Sequence, residues 1–446
     1  MIQSPLRLTI FRLLQSEKVD ASYDSEPLDL EAYESRGARI QSWLRRVISL
    51  KNRTLHLVHW VIDPPHKTAL NGSKRKRIAY VKRGRWSYIN LSIVKLLNEQ
   101  FPEYDVESID IVDDILRQNK AVILANLFYI FKLYGCDILR GRRSIHSCFY
   151  RTPYIFNKTK QLVRNHLGGN AAQYVFTFQT QSLYDASVEG VPHFVYTDHT
   201  HLSNLYYPAF DPDQLFAREW IDLERNIYRN ALRIFLMSSH VKNSVVQHYA
   251  CDSARVQCVY AGCNIEFRPL LLDNDDYRNK QILFVGVDWK RKGGPELVEA
   301  FKLVLKKIPD ARLTIVGSSP DIRHPQIKVI GKVPIRDINQ YLIQASVLCL
   351  PSKIEPFGIV TIEAFIHKLP VVATRIGALP DLIVDGQSGR LVAPNDIHGL
   401  ADALIELLSD PEKCRRFGEQ GYQIVKDNYS WEAVGTRLRC EILSTF

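Results

Sequence analysis

Two carboxylates, Glu355 and Glu363, stand with seven residues between them in the stretch "KIEPFGIVTIEAF", residues 353–365. The residues around them are mostly apolar, and a Pro-Phe-Gly turn follows the first. A buried carboxylate costs several kcal/mol unless it is paired or hydrogen-bonded. A ligand rich in hydroxyl groups would supply the donors that two such carboxylates need. The plainer alternative is a surface turn followed by a helix with one polar position. Some sixty residues earlier, "VDWKRKGGPELVEAF" carries Lys290, Arg291 and Lys292 through a glycine turn into a helix start. Backbone N–H groups and the helix dipole at such a point favour a phosphate, and the basic side chains add to that. A third candidate is His199, which closes "VYTDHT"; it alone of His193, His199 and His201 has the Thr-x-His spacing. A fourth is Gly84, in the basic run "KRKRIAYVKRGR".

These residues become a site only if the chain brings them to one place. From Ile78 onward, short β-rich runs alternate with helical spacing: "RIAYV", "AQYVFTF", "HFVYT" and "LRIFLMSS" are strands, and "SYINLSIVKLLNEQF" and "DQLFAREWIDLERNIYRNA" are helices. The rhythm restarts after the polar link "LLDNDDYRNK", with "QILFVG", "ARLTIVG", "SVLCLPS", "PVVAT" and "GRLVAP" as strands. Alternation of this kind predicts parallel sheet with right-handed crossovers. The expectation is an α/β fold of two Rossmann-like domains facing each other across a cleft. Residues 1–70 are read as an N-terminal extension, 71–270 as an acceptor-side domain and 271–430 as a nucleotide-binding domain. Residues 431–446 are read as a C-terminal helix that packs back on the first domain. Ligands of open α/β sheets bind beyond the carboxyl ends of the strands, and the "VDWKRKGG", "KIEPFG" and "RIGALPD" segments all follow strands.

Composition narrows the class. The chain has 446 residues, 46% apolar and 24% charged, an ordinary globular mix that suits two domains. The longest apolar run, "AVILANLFYIF" from Ala121, has eleven residues, short of the roughly 20 needed to span a bilayer. No signal peptide is read at the N-terminus. The eight cysteines form no CxxC pair, so neither a zinc site nor a disulfide framework is indicated, and a reduced, cytoplasmic protein is the expectation. The net charge of +10 is concentrated: residues 51–100 hold eleven Lys/Arg against two Asp/Glu. A basic run of this kind admits a solvated face, a nucleic-acid patch or a peripheral contact with an anionic membrane. Lys74 to Arg77 precede the strand and Lys82, Arg83 and Arg85 follow it, so the two clusters are expected at opposite ends.

The run from Pro351 to Asp396, with its Glu–seven residues–Glu spacing, resembles the C-terminal domain of retaining GT-B glycosyltransferases, family 4 (glycosyl transferases group 1). "ILFVGVDWKRKGGPELVEAF" and "ARLTIVG" extend the likeness over residues 281–410; "HFVYTDHT", "SSHVKNSVV" and "VQCVYAGCNIEFRP" carry it more faintly into the first half. The resemblance implies a retaining hexosyltransferase-type enzyme acting on a UDP- or GDP-linked sugar, with no metal and no further cofactor. It implies that Glu363 accepts from the ribose hydroxyls and that Glu355 faces the donor sugar. The N–H groups of Phe357 and Gly358 would reach the sugar and Lys292 the diphosphate. His199 would lie near sugar and pyrophosphate, and Gly84 in a loop facing the diphosphate and the acceptor. One position departs from the pattern: the family's arginine after the "FVG" strand is Val287 here, and Arg291 or Lys290 is expected to replace its charge. A nucleic-acid binder leaves the carboxylate pair unexplained, and a silent scaffold fits poorly with intact Glu355, Glu363 and Lys292.

Overall fold

The computed structural model describes residues 75–84, 89–263 and 277–446. The expected extension 1–70, together with Lys74 and Arg85 of the basic run, lies outside these residues. The described chain forms two six-stranded, wholly parallel sheets within one compact unit, Pro65–Phe446.

The first sheet has the order β2-β1-β3-β4-β5-β6: β1 (Arg77–Lys82), β2 (Asp105–Asp110), β3 (Tyr174–Thr180), β4 (His193–Thr197), β5 (Arg233–Leu236) and β6 (Val256–Cys258). The second has the order β12-β11-β10-β7-β8-β9: β7 (Gln281–Val285), β8 (Arg312–Val316), β9 (Ile327–Gly331), β10 (Val347–Leu350), β11 (Val371–Thr374) and β12 (Gly389–Val392). Central strand β10 is apolar and buried along its length, and β1 is so over its middle four residues, as strands covered on both faces must be. One core fills the middle of the molecule and draws on both domains, from Phe178 and Tyr196 to Phe357 and Ile362; further cores back each sheet on its other side.

The chain order within each sheet fixes where a ligand can sit. In the first sheet the chain passes from β1 to β2 on one side and then crosses to β3 on the other, so the order reverses between β1 and β3. In the second it reverses between β7 and β10. Loops leaving the carboxyl ends of strands at a reversal diverge and leave a crevice. The loop after β7 carries Lys290–Lys292, the loop after β10 carries Glu355, and the loop after β1 carries Gly84.

Helices of use below are α1 (Ile89–Gln100), α2 (Lys120–Leu139), α3 (Pro153–Gly168), α4 (Arg218–Asn230), α5 (Ser239–Gln247), α6 (Gly294–Lys307), α7 (Ile359–Ile366), α8 (Pro411–Asn428) and α9 (Trp431–Leu443). α9 follows α8 out of the second domain and lies on α1 of the first, where Arg439 donates to the Gln100 carbonyl and faces Glu103 at 3.3 Å. Beyond it, the Phe446 ring sits 6.4 Å from that of Phe176. Across the domains, the hydroxyl of Ser239 at the start of α5 donates to Asp381 at 2.6 Å, and within the second domain Tyr429 donates to the Asp381 carbonyl at 2.7 Å.

Two expectations change. Apolar character does not stop after eleven residues at Ala121–Phe131: α2 continues through Lys132 for 20 residues and is the one helix, among those described, long and apolar enough by length and composition to cross a membrane. A run count misses it because one lysine, one glycine and one aspartate interrupt the sequence without interrupting the helix. The basic run is also less available than its charge suggests. Arg77 faces Glu107 at 3.2 Å, Lys82 faces Asp110 at 2.7 Å, and Arg83 donates to Gln181 at 3.2 Å.

Candidate active site

Glu355 and Glu363 both point into the interior at the β7/β10 reversal, and their surroundings differ. Gly358, with φ +88°, caps α7 in the left-handed region where a side chain would be strained. Glu355 precedes this turn. Its carboxylate accepts from the Lys292 ammonium and, at 3.0 Å, from the Ser352 hydroxyl. The Ser352 carbonyl in turn accepts from Thr374 at the end of β11, at 2.5 Å. Glu363 lies inside α7, 7% exposed. Its side chain has no hydrogen-bond or ion partner among the described residues, and burial alone pushes its carboxyl up to about 7. A buried carboxyl without a partner is rare and calls for an explanation.

The loops after β7 and β10 are tied to each other by backbone. Arg291 donates through its guanidinium to the Ile354 carbonyl at 2.8 Å, and its own carbonyl accepts from the Lys353 N–H at 2.8 Å. Gly293, the cap of α6, lies so close to the Pro351 carbonyl that a Cβ would come within 1.8 Å of the oxygen. Arg291 is therefore engaged in holding the Glu355 loop, and Lys290 is exposed. Of the three basic side chains expected here, Lys292 reaches the crevice, and Val287 projects into solvent. The N–H groups of Phe357 and Gly358 donate to nothing among the described residues and stand at the start of α7, while the Phe357 ring itself is core.

The first domain contributes from the loop after β4. His199 is held in place by Ser203, whose hydroxyl lies 3.0 Å from Nδ1, and by Thr197, which donates to the His199 carbonyl at 2.9 Å. Burial, with His240 and Arg151 nearby, pushes the imidazole down to about 3, so it is neutral near pH 7. The loop rests on buried Glu224 of α4, which accepts from Ser182 at 2.7 Å and from the His201 N–H at 3.1 Å. His193 lies within the sheet, 2.6 Å from Thr177, and His201 accepts from the Phe216 N–H at 2.9 Å. Gly84, φ +59°, closes β1 with its N–H on Asp110 at 3.0 Å and its carbonyl accepting from Asn90 at 2.5 Å.

Tyr207 links the two halves. Its ring centroid lies 4.9 Å from that of His240, and burial followed by the charge of Glu355 pushes its hydroxyl far up. Among the described residues that hydroxyl is buried without a hydrogen-bond partner beside Gly377, whose backbone passes so close to Glu355 that a Cβ would lie 1.9 Å from the Glu355 carbonyl oxygen. Sequence reasoning missed Tyr207, His240 and Ser352. Nothing local marks the first two; Ser352, three residues before Glu355 in "PSKIE", was open to the eye. Among the described residues no three His, Cys, Asp or Glu side chains group as a metal site.

The buried carboxylates, the lysine on one of them and the unengaged helix-start N–H groups all lie in a segment similar to one family. Residues 273–424 fit the sequence profile of the glycosyl transferases group 1. Over that segment the chain is similar to this family. Relatives include an uncharacterized glycosyltransferase of Methanocaldococcus jannaschii, 29% identical over 222 residues, 48% of this chain and 61% of that protein. Another is the D-inositol 3-phosphate glycosyltransferase of Corynebacterium glutamicum, 26% identical over 273 residues, 55% of this chain and 65% of that one. The chain thus spans less than two thirds of the length of these relatives. Among solved structures, sucrose-phosphate synthase from Thermosynechococcus elongatus superposes with a TM-score of 0.60 at 17% identity, covering 83% of this chain and all of that one. Anabaena HepE, solved in complex with UDP and glucose, gives 0.56 at 15% identity, again covering 83% of this chain. At these identities the superpositions show fold, and the fold is GT-B.

Proposed function

We propose that the chain is a glycosyltransferase that moves a hexosyl group from a UDP- or GDP-linked sugar to an acceptor held against the first domain, with retention at the anomeric carbon. The observation that carries this reading is Glu363, a buried carboxylate with no partner among the described residues, one helix turn and a half beyond the Glu355 loop. Ribose hydroxyl groups are the donors it lacks, and charge-assisted bonds of that kind are strong in a water-poor crevice.

The remaining groups fall into place around a donor so oriented. The diphosphate lies toward the glycine turn after β7 and the start of α7, against Lys292 and the N–H groups of Phe357 and Gly358. Lys292 also touches Glu355, so one ammonium stands between two anions that would otherwise repel. Glu355 faces the sugar, where a negative charge suits the oxocarbenium-like transition state of glycosyl transfer. Neutral His199 offers one ring nitrogen to a sugar hydroxyl or phosphate while Ser203 holds the other. In the reaction the sugar–phosphate bond breaks, the nucleoside diphosphate leaves, and the acceptor oxygen bonds the anomeric carbon and gives up its proton. On this reading protein charge and helix ends, rather than a metal, steady the leaving group, and no nucleic acid is involved. Two relatives are named for phosphorylated or mannosyl chemistry, the inositol-phosphate enzyme above and an MMP alpha-(1->4)-mannosyltransferase of Mycolicibacterium hassiacum. UDP- and GDP-sugars therefore both belong in the test. Purified protein is incubated with a panel of each and candidate acceptors, following nucleoside diphosphate release and the anomeric proton coupling of the product. Release with an α-linked product from an α-linked donor is expected. An inverted product overturns retention, and failure to bind any nucleotide overturns the whole reading.

A further inference from the structure

Apart from the basic run before β1, helix α2 offers a surface of a different kind. Along α2 the inward residues Ile123, Asn126, Ile130 and Tyr134 recur at helical spacing and are buried. They are fixed there by specific bonds. Asn126 donates to the Phe149 carbonyl at 2.8 Å and accepts from Thr152 at 2.5 Å, and Tyr134 donates to the Arg151 carbonyl at 2.6 Å. The outward face repeats the spacing with large apolar side chains. Leu124, Phe128, Phe131 and Leu139 are 65%, 67%, 51% and 86% exposed. Only 22% of the helix's most apolar 18-residue stretch is buried, so α2 is not a core helix. A stripe of this size on an α/β domain marks a contact surface.

The charges around the stripe say what it contacts. Lys120 at one end, Lys132 within it and Arg140 and Arg142 just beyond the other end are all exposed. The helix's one carboxylate, Asp137, is paired with Arg143 at 2.9 Å. An apolar stripe rimmed by cations fits an anionic lipid surface, with the side chains in the acyl boundary and the cations among headgroups. The length would also fit a span, but the Asn126, Thr152 and Tyr134 bonds keep one face of α2 on the domain, and both its ends return to the same sheet. We propose that α2 lies in the plane of an anionic bilayer and docks the first domain there through Leu124, Phe128, Phe131 and Leu139. The turn that α2 grips from behind, Phe149 to Thr152, carries Arg151, whose charge reaches His199. The contact itself does not depend on the catalytic reading, because it is measured without substrate.

The test is vesicle flotation of the full chain at low and high salt, with phosphatidylcholine vesicles that do or do not contain phosphatidylglycerol. The wild type is expected to float with the anionic vesicles, more weakly as salt rises. L124Q/F128Q/F131Q should reduce partition by about tenfold or more, since three large side chains no longer leave water. K120Q/K132Q/R140Q should remove most of the salt dependence, each cation contributing roughly fivefold. A blue shift of indole emission in F128W on adding vesicles reports insertion without disturbing the stripe. Thermal melting and UDP affinity serve as controls and should not change in any variant. Absence of flotation with anionic vesicles at low salt, or equal flotation of L124Q/F128Q/F131Q, overturns the proposal. So does a concentration-dependent dimer in sedimentation that this variant abolishes, since the face then belongs to a second copy of the chain.

Discussion

Replacing Glu363 tests the proposed donor site from two sides, because its surroundings make it costly alone and useful when occupied. Its carboxyl is raised from 4.5 to about 7 by burial, which corresponds to roughly 3 kcal/mol against the ionised form. The sign follows from the linkage of protons to folding. Below about pH 4.5 the group is protonated folded or unfolded and costs nothing. Between 4.5 and 7 the unfolded chain ionises first and stability declines. Above 7 the whole penalty is present. Glu363→Gln should therefore raise the melting temperature of the unliganded protein at pH 8 and leave it unchanged at pH 4.5. The gain stays under about 3 kcal/mol, since an amide there also lacks partners. Binding should move the other way. A ribose that hydrogen-bonds the ionised carboxylate makes wild-type affinity fall as pH drops below about 7, by up to tenfold per pH unit, with proton release on binding. Glu363→Ala should weaken nucleotide binding at pH 8 by about 1.5–3 kcal/mol. Calorimetry with a nucleotide sugar, whose diphosphate does not titrate near pH 6, reads all of this at once. Equal, pH-independent affinity for wild type and Glu363→Ala would show that the carboxylate never meets the ribose.

Three further outcomes follow from the same geometry. Lys292→Met should weaken nucleoside diphosphate binding by about 1.5–3 kcal/mol and barely change binding of the bare nucleoside; equal loss for both in calorimetry would remove Lys292 from the phosphates. Gly377→Ala forces a Cβ against the Glu355 carbonyl from a backbone at φ +52°, so it should cost about 1–3 kcal/mol and lower the melting temperature by several degrees. An unchanged melting curve would mean that the two loops part easily. His199, held down to about 3 by burial, should show no imidazole titration by NMR between pH 5 and 8, and His199→Ala should lose most of the transfer rate with little change in donor affinity. A midpoint near 6.5 would contradict the buried, neutral ring.

The legible part of the fold was what strand–helix alternation encodes locally, and the legible part of the site was what lies within one loop. "KIEPFGIVTIEAF" shows both carboxylates, and "PELVEAF" shows α6. The pairing of Lys292 with Glu355 is not visible in this way, since 63 residues separate them and only the reversal of strand order between β7 and β10 brings them together. The same holds for Tyr207, whose relation to Glu355 and Gly377 depends on one domain meeting the other. Arg291 illustrates a different gap. Its type and position suit a phosphate, but a guanidinium has five donors and can satisfy a neighbouring loop carbonyl equally well; sequence does not distinguish the two. The outward face of α2 was hidden by a count of consecutive apolar residues, which a lysine ends although the helix continues.

The substitution of Val287 for the family's arginine has a consequence for the electrostatics of the crevice. Arg291 points at the Ile354 carbonyl and Lys290 points to solvent, so neither makes good the missing charge at close range. Lys292 is left as the cation that reaches the crevice from this loop, and it already touches Glu355. On the proposed reading, a diphosphate entering beside that pair would draw further stabilisation from neutral donors. Gly358 makes this possible, because it holds the left-handed turn that opens α7 with the Phe357 and Gly358 N–H groups unengaged among the described residues. Helix-start N–H groups bind anions without a counter-charge of their own, and they cost no side-chain entropy on binding. Their attraction is also short-ranged compared with that of a full cation, so it acts on a phosphate already seated rather than on one approaching. On the proposed reading, selection by this loop falls on the geometry of the bound donor, with steering left to the wider positive charge of the chain.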